Sequence, residues 1–294
     1  MEFSNVIDEV LAAYADGAYR RALEVVSHAR PQFPERDASM TFWVACLHSR
    51  AGEPEIALQS LAEGLDRGLA WHPKMLADTD LEAVRELDGW ASFAERSTAV
   101  VASWRVERPP PLLRAPAEPL GTVIALHGAG HVPEDFQSEW VTAIPVEWAV
   151  VAPIGDVPLS NEAWAWPYDL STDSLEESLA STEIAAPVVL AGFSQGAGIA
   201  ARAAWNGVVD AIGLIMSAGT VPSDIWTGSA RRSVPTYAVV GTEDGAYPTC
   251  SAMAKDLERD GVPVFLDVRE GMGHVAPPDL DIVIRSALDW FESV

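Results

Sequence analysis

Cysteine is scarce in this sequence. Cys46 and Cys250 are the only cysteines among 294 residues, and they lie far apart. Disulfide-stabilised folds and cysteine-rich metal sites need several cysteines at characteristic spacings, so both classes are excluded. We expect each cysteine to be a small buried hydrophobic residue.

Basic residues are also few, with 19 Lys and Arg against 43 Asp and Glu and a formal net charge of -24. Such a chain repels phosphate backbones and anionic lipid surfaces, which excludes nucleic acid as a partner. The acidic excess is explained as well by solubility or a salty environment. It therefore identifies no substrate.

Long hydrophobic runs are missing. No stretch approaches 18 uncharged apolar residues, so no membrane span is expected. The start, MEFSNVIDEVLAAYADGAYRR, has no basic segment followed by an apolar one and does not resemble a secretory signal. We expect a soluble, cytoplasmic protein, and its length and 49% hydrophobic content allow one large domain or two smaller ones.

Residues 1–104 contain helix-length segments with apolar residues at three- and four-residue spacing. Two of these segments repeat at an offset of 35 residues: Gly17 leads Ala22 by five places, and Gly52 leads Ala57 by five. This period is typical of helix-turn-helix repeats. The first copy continues with Ala29 and Pro34, and on these residues the region resembles tetratricopeptide repeats. The alternative is an unrelated helical bundle.

The second copy has Gly64 and Leu69 where the first has Ala29 and Pro34. Two repeats are fewer than usually stand alone. Cap-type residues 78–80 precede a further apolar-periodic run, which predicts one or two capping helices, and we expect the rest of the chain to help cover this half. Residues 105–120 hold five prolines and are predicted to be a linker that can include an edge strand.

From residue 121 onward the pattern changes to short apolar runs that alternate with helical segments. The predicted strands are Thr122–Leu126, Ala149–Ala152, Pro187–Leu190, Ala211–Met216, Thr236–Val240 and Val264–Val268. Helices are predicted near 195–206, 248–260 and 278–292. Strands that are apolar on both faces, with helices between them, indicate a mainly parallel sheet covered on both sides. We therefore predict an α/β domain over 121–294.

Ser194 lies in GFSQG, between a predicted strand and a predicted helix. In that context the G-x-S-x-G pattern is a nucleophile elbow, a strained turn that lifts the serine hydroxyl above the sheet. A serine hydroxyl needs a base to take its proton. The alternative is that Ser194 only turns the chain.

The chain has six histidines: His28, His48, His72, His127, His131 and His274. The first three lie in the helical half, where surface or core roles are the default. His274 follows the last predicted strand, where the base of an α/β-hydrolase is found. His127 ends the first strand and is better placed to shape a loop.

Asp244 follows the strand that ends at Val240 and is the predicted acid that orients His274. The order serine, acid, histidine is that of the α/β-hydrolases. Glu243 is a weaker candidate for the acid, and Asp224 is the main positional alternative. For the oxyanion of an acyl-transfer intermediate, we predict the backbone N–H groups of Gln195 and Ala129 as donors.

Four motifs of residues 120–294 resemble the phospholipase/carboxylesterase branch of the α/β-hydrolases, which includes carboxylesterases and acyl-protein thioesterases. They are LHGAG (126–130), GFSQGA (192–197), GTEDGAYP (241–248) and GMGH (271–274). The resemblance covers about 60% of the chain. It implies an esterase or thioesterase with the triad Ser194, Asp244 and His274, an acyl substrate, and no cofactor or metal.

The first loop departs from the family, because Ala129 and His131 stand where it usually has a bulky and an acidic residue. Trp164, Trp166 and Tyr168 correspond to the family's aromatic stretch ahead of the elbow and are candidates for the substrate cleft. The alternative for these aromatics is that they pack a loop onto the sheet. His131 and Met272 are further candidates for the cleft wall.

The same sequence features are compatible with other functions. The helical repeats can hold a protein partner, in which case the hydrolase half would be a scaffold. The same triad also serves peptidases and acyltransferases, because water or another acceptor can attack the acyl-enzyme.

Overall fold

The structure is a computed structural model that describes residues 3–104, 111–219, 221–227 and 231–294. The chain divides into two compact units. The helical unit comprises Met1–Val106 and Pro158–Ala163, and the α/β unit comprises Glu107–Val157 and Trp164–Val294. The six residues 158–163 thus join the helical unit from the second half of the chain, which the sequence did not predict.

The helical unit begins with two helical hairpins. Its α-helices are α1 (Phe3–Ala15), α2 (Tyr19–Ala29), α3 (Asp37–Arg50), α4 (Pro54–Asp66), α5 (Pro73–Leu76), α6 (Glu82–Arg85) and α7 (Trp90–Ser103). The hairpin turns contain Gly17 and Gly52, whose φ angles of 68° and 81° favour glycine. Ala22 and Ala57 are fully buried. The 35-residue offset therefore corresponds to two helix-turn-helix units, and their relation to tetratricopeptide repeats stays a prediction.

Gly64 gives a physical reason for the difference between the two hairpins. It lies in α4, and a Cβ atom there would come within 2.7 Å of the ring of Trp71. Trp71 is fully buried, its backbone N–H donates to Ser97 Oγ at 2.8 Å, and its Nε1–H donates to the carbonyl oxygen of Ala38 at 3.2 Å. The second hairpin thus needs glycine where the first has alanine.

The α/β unit is built on a seven-stranded sheet with the order β1-β3-β2-β6-β7-β8-β9. The strands are β1 (Leu112–Arg114), β2 (Thr122–Leu126), β3 (Ala149–Val151), β4 (Val157–Pro158), β5 (Trp164–Ala165), β6 (Val188–Phe193), β7 (Ala211–Ser217), β8 (Thr236–Gly241) and β9 (Val264–Arg269). Strand β1 pairs antiparallel with β3, and the other neighbours in this sheet are parallel. Strands β4 and β5 form a separate short sheet.

Helices cover both faces of the large sheet. They are α8 (Pro133–Ala143), α9 (Asp173–Leu179), α10 (Gln195–Trp205), α11 (Ser223–Trp226), α12 (Tyr247–Arg259) and α13 (Leu280–Phe291). Along β2, Ile124 and Leu126 join the core with α10 and α12, and Val123 and Ala125 join the core with α8 and α13. Burial on both faces explains the continuous apolar runs of the strands. The prediction of a mainly parallel α/β fold is confirmed.

The predicted linker is only partly described, because residues 105–110 lie outside the described residues. Beyond them, β1 forms an edge of the sheet and pairs antiparallel with β3. The sequence analysis missed helices α8, α9 and α11 and the short strands β4 and β5. None of the described helices has the length and apolar composition needed to cross a membrane.

Candidate active site

Ser194 occupies a strained turn between β6 and α10. Its φ and ψ are 51° and -118°, a region that residues other than glycine rarely adopt and that costs about 1–3 kcal/mol. A Cβ atom at Gly196 would collide with the carbonyl oxygens of Leu126 and His127, and one at Gly192 would collide with backbone atoms of the following helix. Both glycines of the motif are therefore required by close backbone packing.

Ser194, His274 and Asp244 form a chain of hydrogen bonds. Ser194 Oγ lies 2.9 Å from His274 Nε2. His274 Nδ1 lies 3.0 Å and 2.9 Å from the two carboxylate oxygens of Asp244. Since a carboxylate can only accept, Nδ1 carries the proton and Nε2 is left to accept from the serine hydroxyl. The structure thus brings together the three residues predicted from three separate strand ends.

The environments of these groups differ. The Asp244 residue is 4% exposed, and one of its oxygens also accepts from the Ala246 N–H at 2.8 Å. The His274 side chain is about half exposed. The neighbouring Glu243 is exposed and contributes its backbone N–H to the carbonyl oxygen of Met272. The side chain of Asp224 lies outside the described residues.

His127 is held as a neutral structural residue. It is 1% exposed, its Nε2 accepts from the Gly155 N–H at 2.9 Å, and its Nδ1 lies 2.8 Å from the Gly128 carbonyl oxygen. These partners require the proton on Nδ1. Burial lowers the pKa of His127 to about 4. Both ring nitrogens are therefore engaged by backbone, as expected for a loop-shaping histidine.

Residues 128–131 form the loop that carries one predicted oxyanion donor. The His131 N–H bonds the Gly128 carbonyl at 3.4 Å, and Gly130 has a φ of 81° at the position where such a turn favours glycine. Ala129, between the two glycines, is exposed. Gln195 is the first residue of α10, where backbone N–H groups have no intrahelical acceptor. Both N–H groups remain predicted oxyanion donors.

The Gln195 side chain has a role that the sequence did not reveal. Its Oε1 accepts from the Trp166 backbone N–H at 2.9 Å, and its Nε2 donates to the Trp166 carbonyl oxygen at 2.8 Å. The Trp166 indole N–H in turn donates to the His127 carbonyl oxygen at 2.9 Å. The glutamine that distinguishes GFSQG is therefore tied to the aromatic stretch. The only signal for this in the sequence was the glutamine itself.

The predicted cleft residues differ in exposure. Trp166 is fully buried in the core, so it packs the loop onto the sheet and does not line an open cleft. Tyr168 is 45% exposed, and Trp164 is partly exposed. Met272 is partly buried against the core on the α8 and α13 face, and His131 is partly exposed.

Phe193 is a site residue that the sequence analysis overlooked. Its ring centroid lies 5.3 Å from that of His131 and 5.3 Å from that of His274. Its position directly before the serine was the available signal. Burial lowers the pKa of His131 below its usual value, so the imidazole beside Phe193 is less basic than a free one.

Metal ligation has no support in the described part of the chain, where no three His, Cys, Asp or Glu side chains come together as ligands do. Cys46 and Cys250 are both buried and free. Burial raises the pKa of the Cys250 thiol to about 11, and its Sγ lies 2.8 Å from the Gly219 carbonyl oxygen. Neither thiol is activated as a nucleophile.

No protein-family model matches the chain, and no curated protein sequence matches it. Among solved structures, an uncharacterized protein from Bacillus cereus is similar over 100% of this chain and 99% of its own, with 17% identity and a TM-score of 0.53. Esterase PE8 is similar over 63% of this chain and 99% of its own, with 21% identity and a TM-score of 0.51.

Acyl-protein thioesterase 2 from Zea mays is aligned over 61% of this chain and 97% of its own, with 16% identity and a TM-score of 0.48. The likeness to the Bacillus cereus protein and to esterase PE8 concerns the fold alone. The parallel sheet, the elbow after β6 and the similarity to esterase PE8 together show the α/β-hydrolase fold.

Proposed function

We propose that the chain is a serine hydrolase that cleaves a carboxylic ester or thioester through an acyl-enzyme. The observation that carries this is the unbroken hydrogen-bond chain from Ser194 Oγ through His274 to the buried Asp244 carboxylate. A packed serine of purely structural use would need neither the strained backbone nor a histidine acceptor. The similarity to an esterase structure agrees with this chemistry.

In the first half-reaction, Ser194 Oγ attacks the carbonyl carbon while its proton moves to His274 Nε2. Asp244 holds the ring by its Nδ1–H and stabilises the imidazolium. The carbonyl electron pair moves onto oxygen, and the N–H groups of Ala129 and Gln195 donate to this oxyanion. Each such donor contributes about 3 kcal/mol to the transition state. The tetrahedral intermediate collapses as His274 protonates the leaving alcohol or thiol.

In the second half-reaction, a water molecule gives its proton to His274 and attacks the acyl carbon. The second tetrahedral intermediate then expels Ser194 Oγ, which regains the proton from the imidazolium. Transfer to an acceptor other than water would use the same steps, so a peptidase or acyltransferase remains the alternative for this triad.

The test is hydrolysis of p-nitrophenyl esters of increasing acyl length, together with a matched thioester and an anilide and with labelling by a fluorophosphonate. We expect ester or thioester turnover and labelling by the wild-type chain, and neither by Ser194→Ala. A wild-type protein that is folded but neither labels nor turns over any of these substrates would overturn the assignment. Preferential cleavage of the anilide would favour a peptidase.

A second candidate function concerns the helical unit alone. A cleft of about 330 Å³ is lined by apolar side chains of α1 and α3, including Leu11 and Trp43, and its charged lining residues are Asp78 and Asp80. Leu11 is 55% exposed. Asp80 is already paired with Arg50 at 3.7 Å, whereas Asp78 is exposed. We propose that this cleft holds an apolar peptide segment that carries a basic residue, by charge complementarity with Asp78.

The measurement is the change in tryptophan fluorescence of the full chain on titration with a short Leu- and Lys-containing peptide and with its Leu- and Glu-containing counterpart. The assignment is supported if the basic peptide binds, if Leu11→Ser weakens that binding about tenfold or more, and if the acidic peptide binds at least about tenfold more weakly to the wild-type chain. Equal affinity for both peptides, or no binding at millimolar concentration, would contradict it.

A further inference from the structure

The loop of residues 158–163 is anchored in the helical unit through Glu162. The Glu162 carboxylate accepts from the backbone N–H groups of Ala38 at 2.6 Å and Ser39 at 3.4 Å, and from Ser39 Oγ at 2.7 Å. These donors lie in the first turn of α3, where N–H groups lack intrahelical acceptors and the helix dipole favours a negative charge. Glu162 thus caps a helix that lies more than 120 residues earlier in the chain.

Asn161 holds the same loop from another direction. Its Oδ1 accepts from the Ala70 N–H at 3.0 Å, and its Nδ2 donates to the Gly68 carbonyl oxygen at 3.1 Å. The His72 N–H also donates to the Leu159 carbonyl oxygen at 2.7 Å. The loop is therefore bound to α3 and to the segment that follows α4.

The anchored loop ends directly before the α/β unit resumes at Trp164. Ala163 alone separates Glu162 from Trp164, and its N–H donates to Ser160 Oγ at 3.1 Å. The Ala163 carbonyl oxygen accepts from the Leu159 N–H at 2.7 Å. Since each residue has only two soft dihedral angles, few backbone rotations separate Glu162 from Trp164.

Trp164 and Trp166 bond to both candidate oxyanion segments. The Gly130 N–H donates to the Trp164 carbonyl oxygen at 2.9 Å, and the Trp164 N–H donates to the His131 carbonyl oxygen at 3.0 Å. Trp166 bonds through its backbone N–H and carbonyl oxygen to the Gln195 side chain. One short segment therefore contacts the 128–131 turn and the start of α10.

We propose that Glu162 and Asn161 are positioning residues, which hold the loop of residues 158–163 in the helical unit and so fix Trp164 and the turn that presents the Ala129 N–H. In this proposal neither Glu162 nor Asn161 is a catalytic residue. The part of this inference that concerns catalysis rests on the proposed function; the part that concerns the turn does not.

The test is amide hydrogen exchange followed by NMR on the full chain, with Glu162→Ala, Glu162→Gln and Asn161→Ala. We expect the amides of Gly130 and Trp164 to exchange about tenfold faster or more in Glu162→Ala, because several charge-assisted hydrogen bonds are lost. Glu162→Gln keeps one acceptor oxygen and should show a smaller acceleration. Asn161→Ala provides an independent break of the anchor if Glu162→Ala does not fold.

The internal reference is the amide of Leu214, which is buried in the sheet and donates to the Pro235 carbonyl oxygen. The matched control is Arg96→Ala, which removes an exposed ion pair with Asp66 from the same helical unit. The inference would be overturned if the exchange rates of the Gly130 and Trp164 amides changed by less than about twofold. It would also be overturned if the Leu214 amide accelerated equally, because that result would mean general destabilisation.

Kinetics separate this inference from the proposed function. If both hold, Glu162→Ala lowers kcat about tenfold with KM changed less than about twofold, because the turn acts on the oxyanion and not on ground-state binding. Faster exchange at Gly130 in a chain whose wild type is inactive would overturn the hydrolase assignment and leave the positioning role supported. If Glu162→Ala accelerates exchange at Gly130 and Trp164 but leaves kcat unchanged, the effect on catalysis is overturned and the effect on the turn is supported.

Discussion

Two histidines at the ends of two strands of one sheet show how surroundings decide the role of a residue type. His127 is enclosed, both of its ring nitrogens face backbone groups, and burial lowers its pKa to about 4. His274 is about half exposed and lies between the Asp244 carboxylate and the Ser194 hydroxyl. An imidazole that must gain and lose a proton needs one nitrogen facing a reactive group, and only His274 meets that condition among these two.

The largest expected effect is the loss of the base. His274→Ala should lower kcat by about 10⁴-fold or more, because Ser194 then has no acceptor for its proton. The check is steady-state hydrolysis of a short p-nitrophenyl ester, with circular dichroism to verify the fold. Residual activity within about tenfold of wild type would remove His274 from the mechanism and erase the contrast with His127.

Asp244→Asn should lower kcat about 10³- to 10⁴-fold, because an amide no longer favours the Nδ1–H tautomer or stabilises the imidazolium. The adjacent Glu243→Gln is the matched control, since that exposed side chain should change kcat less than about twofold. Comparable losses in the two variants would reassign the acid.

His127 should affect stability as a function of pH. Its folded pKa is about 4, below its usual 6.5, so protonation favours the unfolded chain. The contribution of His127 is fully present above about pH 6.5 and is lost as pH falls towards about 4, a change of about 3 kcal/mol in the free energy of unfolding.

Urea unfolding of wild type and His127→Asn at pH 7 and pH 4.5 measures the contribution of His127 to the free energy of unfolding. The variant should be less stable at pH 7, because the Gly155 N–H loses its acceptor, and its stability should depend less on pH. His131, which lies near His127 and whose pKa burial also lowers, is retained in both proteins and cancels in the difference. Parallel pH profiles would show that His127 does not titrate as described.

The smallest expected effect concerns the support beneath the His127 loop. Trp166→Phe removes the indole N–H that donates to the His127 carbonyl oxygen, and should lower the free energy of unfolding by about 1–2 kcal/mol. Thermal unfolding monitored by circular dichroism measures the loss. Trp140→Phe, at a fully buried tryptophan whose indole N–H has no hydrogen-bond partner among the described residues, is the matched control and should cost less, because no hydrogen bond is lost.

Much of the α/β unit could be predicted because its signals are local. Each strand is a short apolar run, and parallel strands place their carboxyl ends at one edge of the sheet, so motifs at three strand ends predicted the neighbourhood of Ser194, Asp244 and His274. The side-chain distances themselves required the structure.

What the sequence could not predict depends on partners far apart in the chain. Glu162 caps α3 and Asn161 bonds Ala70, yet neither residue belongs to a motif. Gly64 has a partner nearer in the chain, Trp71, but the sequence does not show that the Trp71 ring packs against it. In each case the residue type is common, and the contact exists only in the folded chain.

The placement of the two cysteines offers a practical consequence. Cys46 lies in the helical unit and Cys250 in the α/β unit, and both thiols are buried and free. Burial raises the pKa of both thiols, which suppresses the reactive thiolate in the folded chain. Each unit therefore carries one cysteine whose reactivity reports the unfolding of that unit. Alkylation at increasing denaturant concentration, followed by mass spectrometry of the two cysteine peptides, would measure the denaturant concentration at which each unit unfolds.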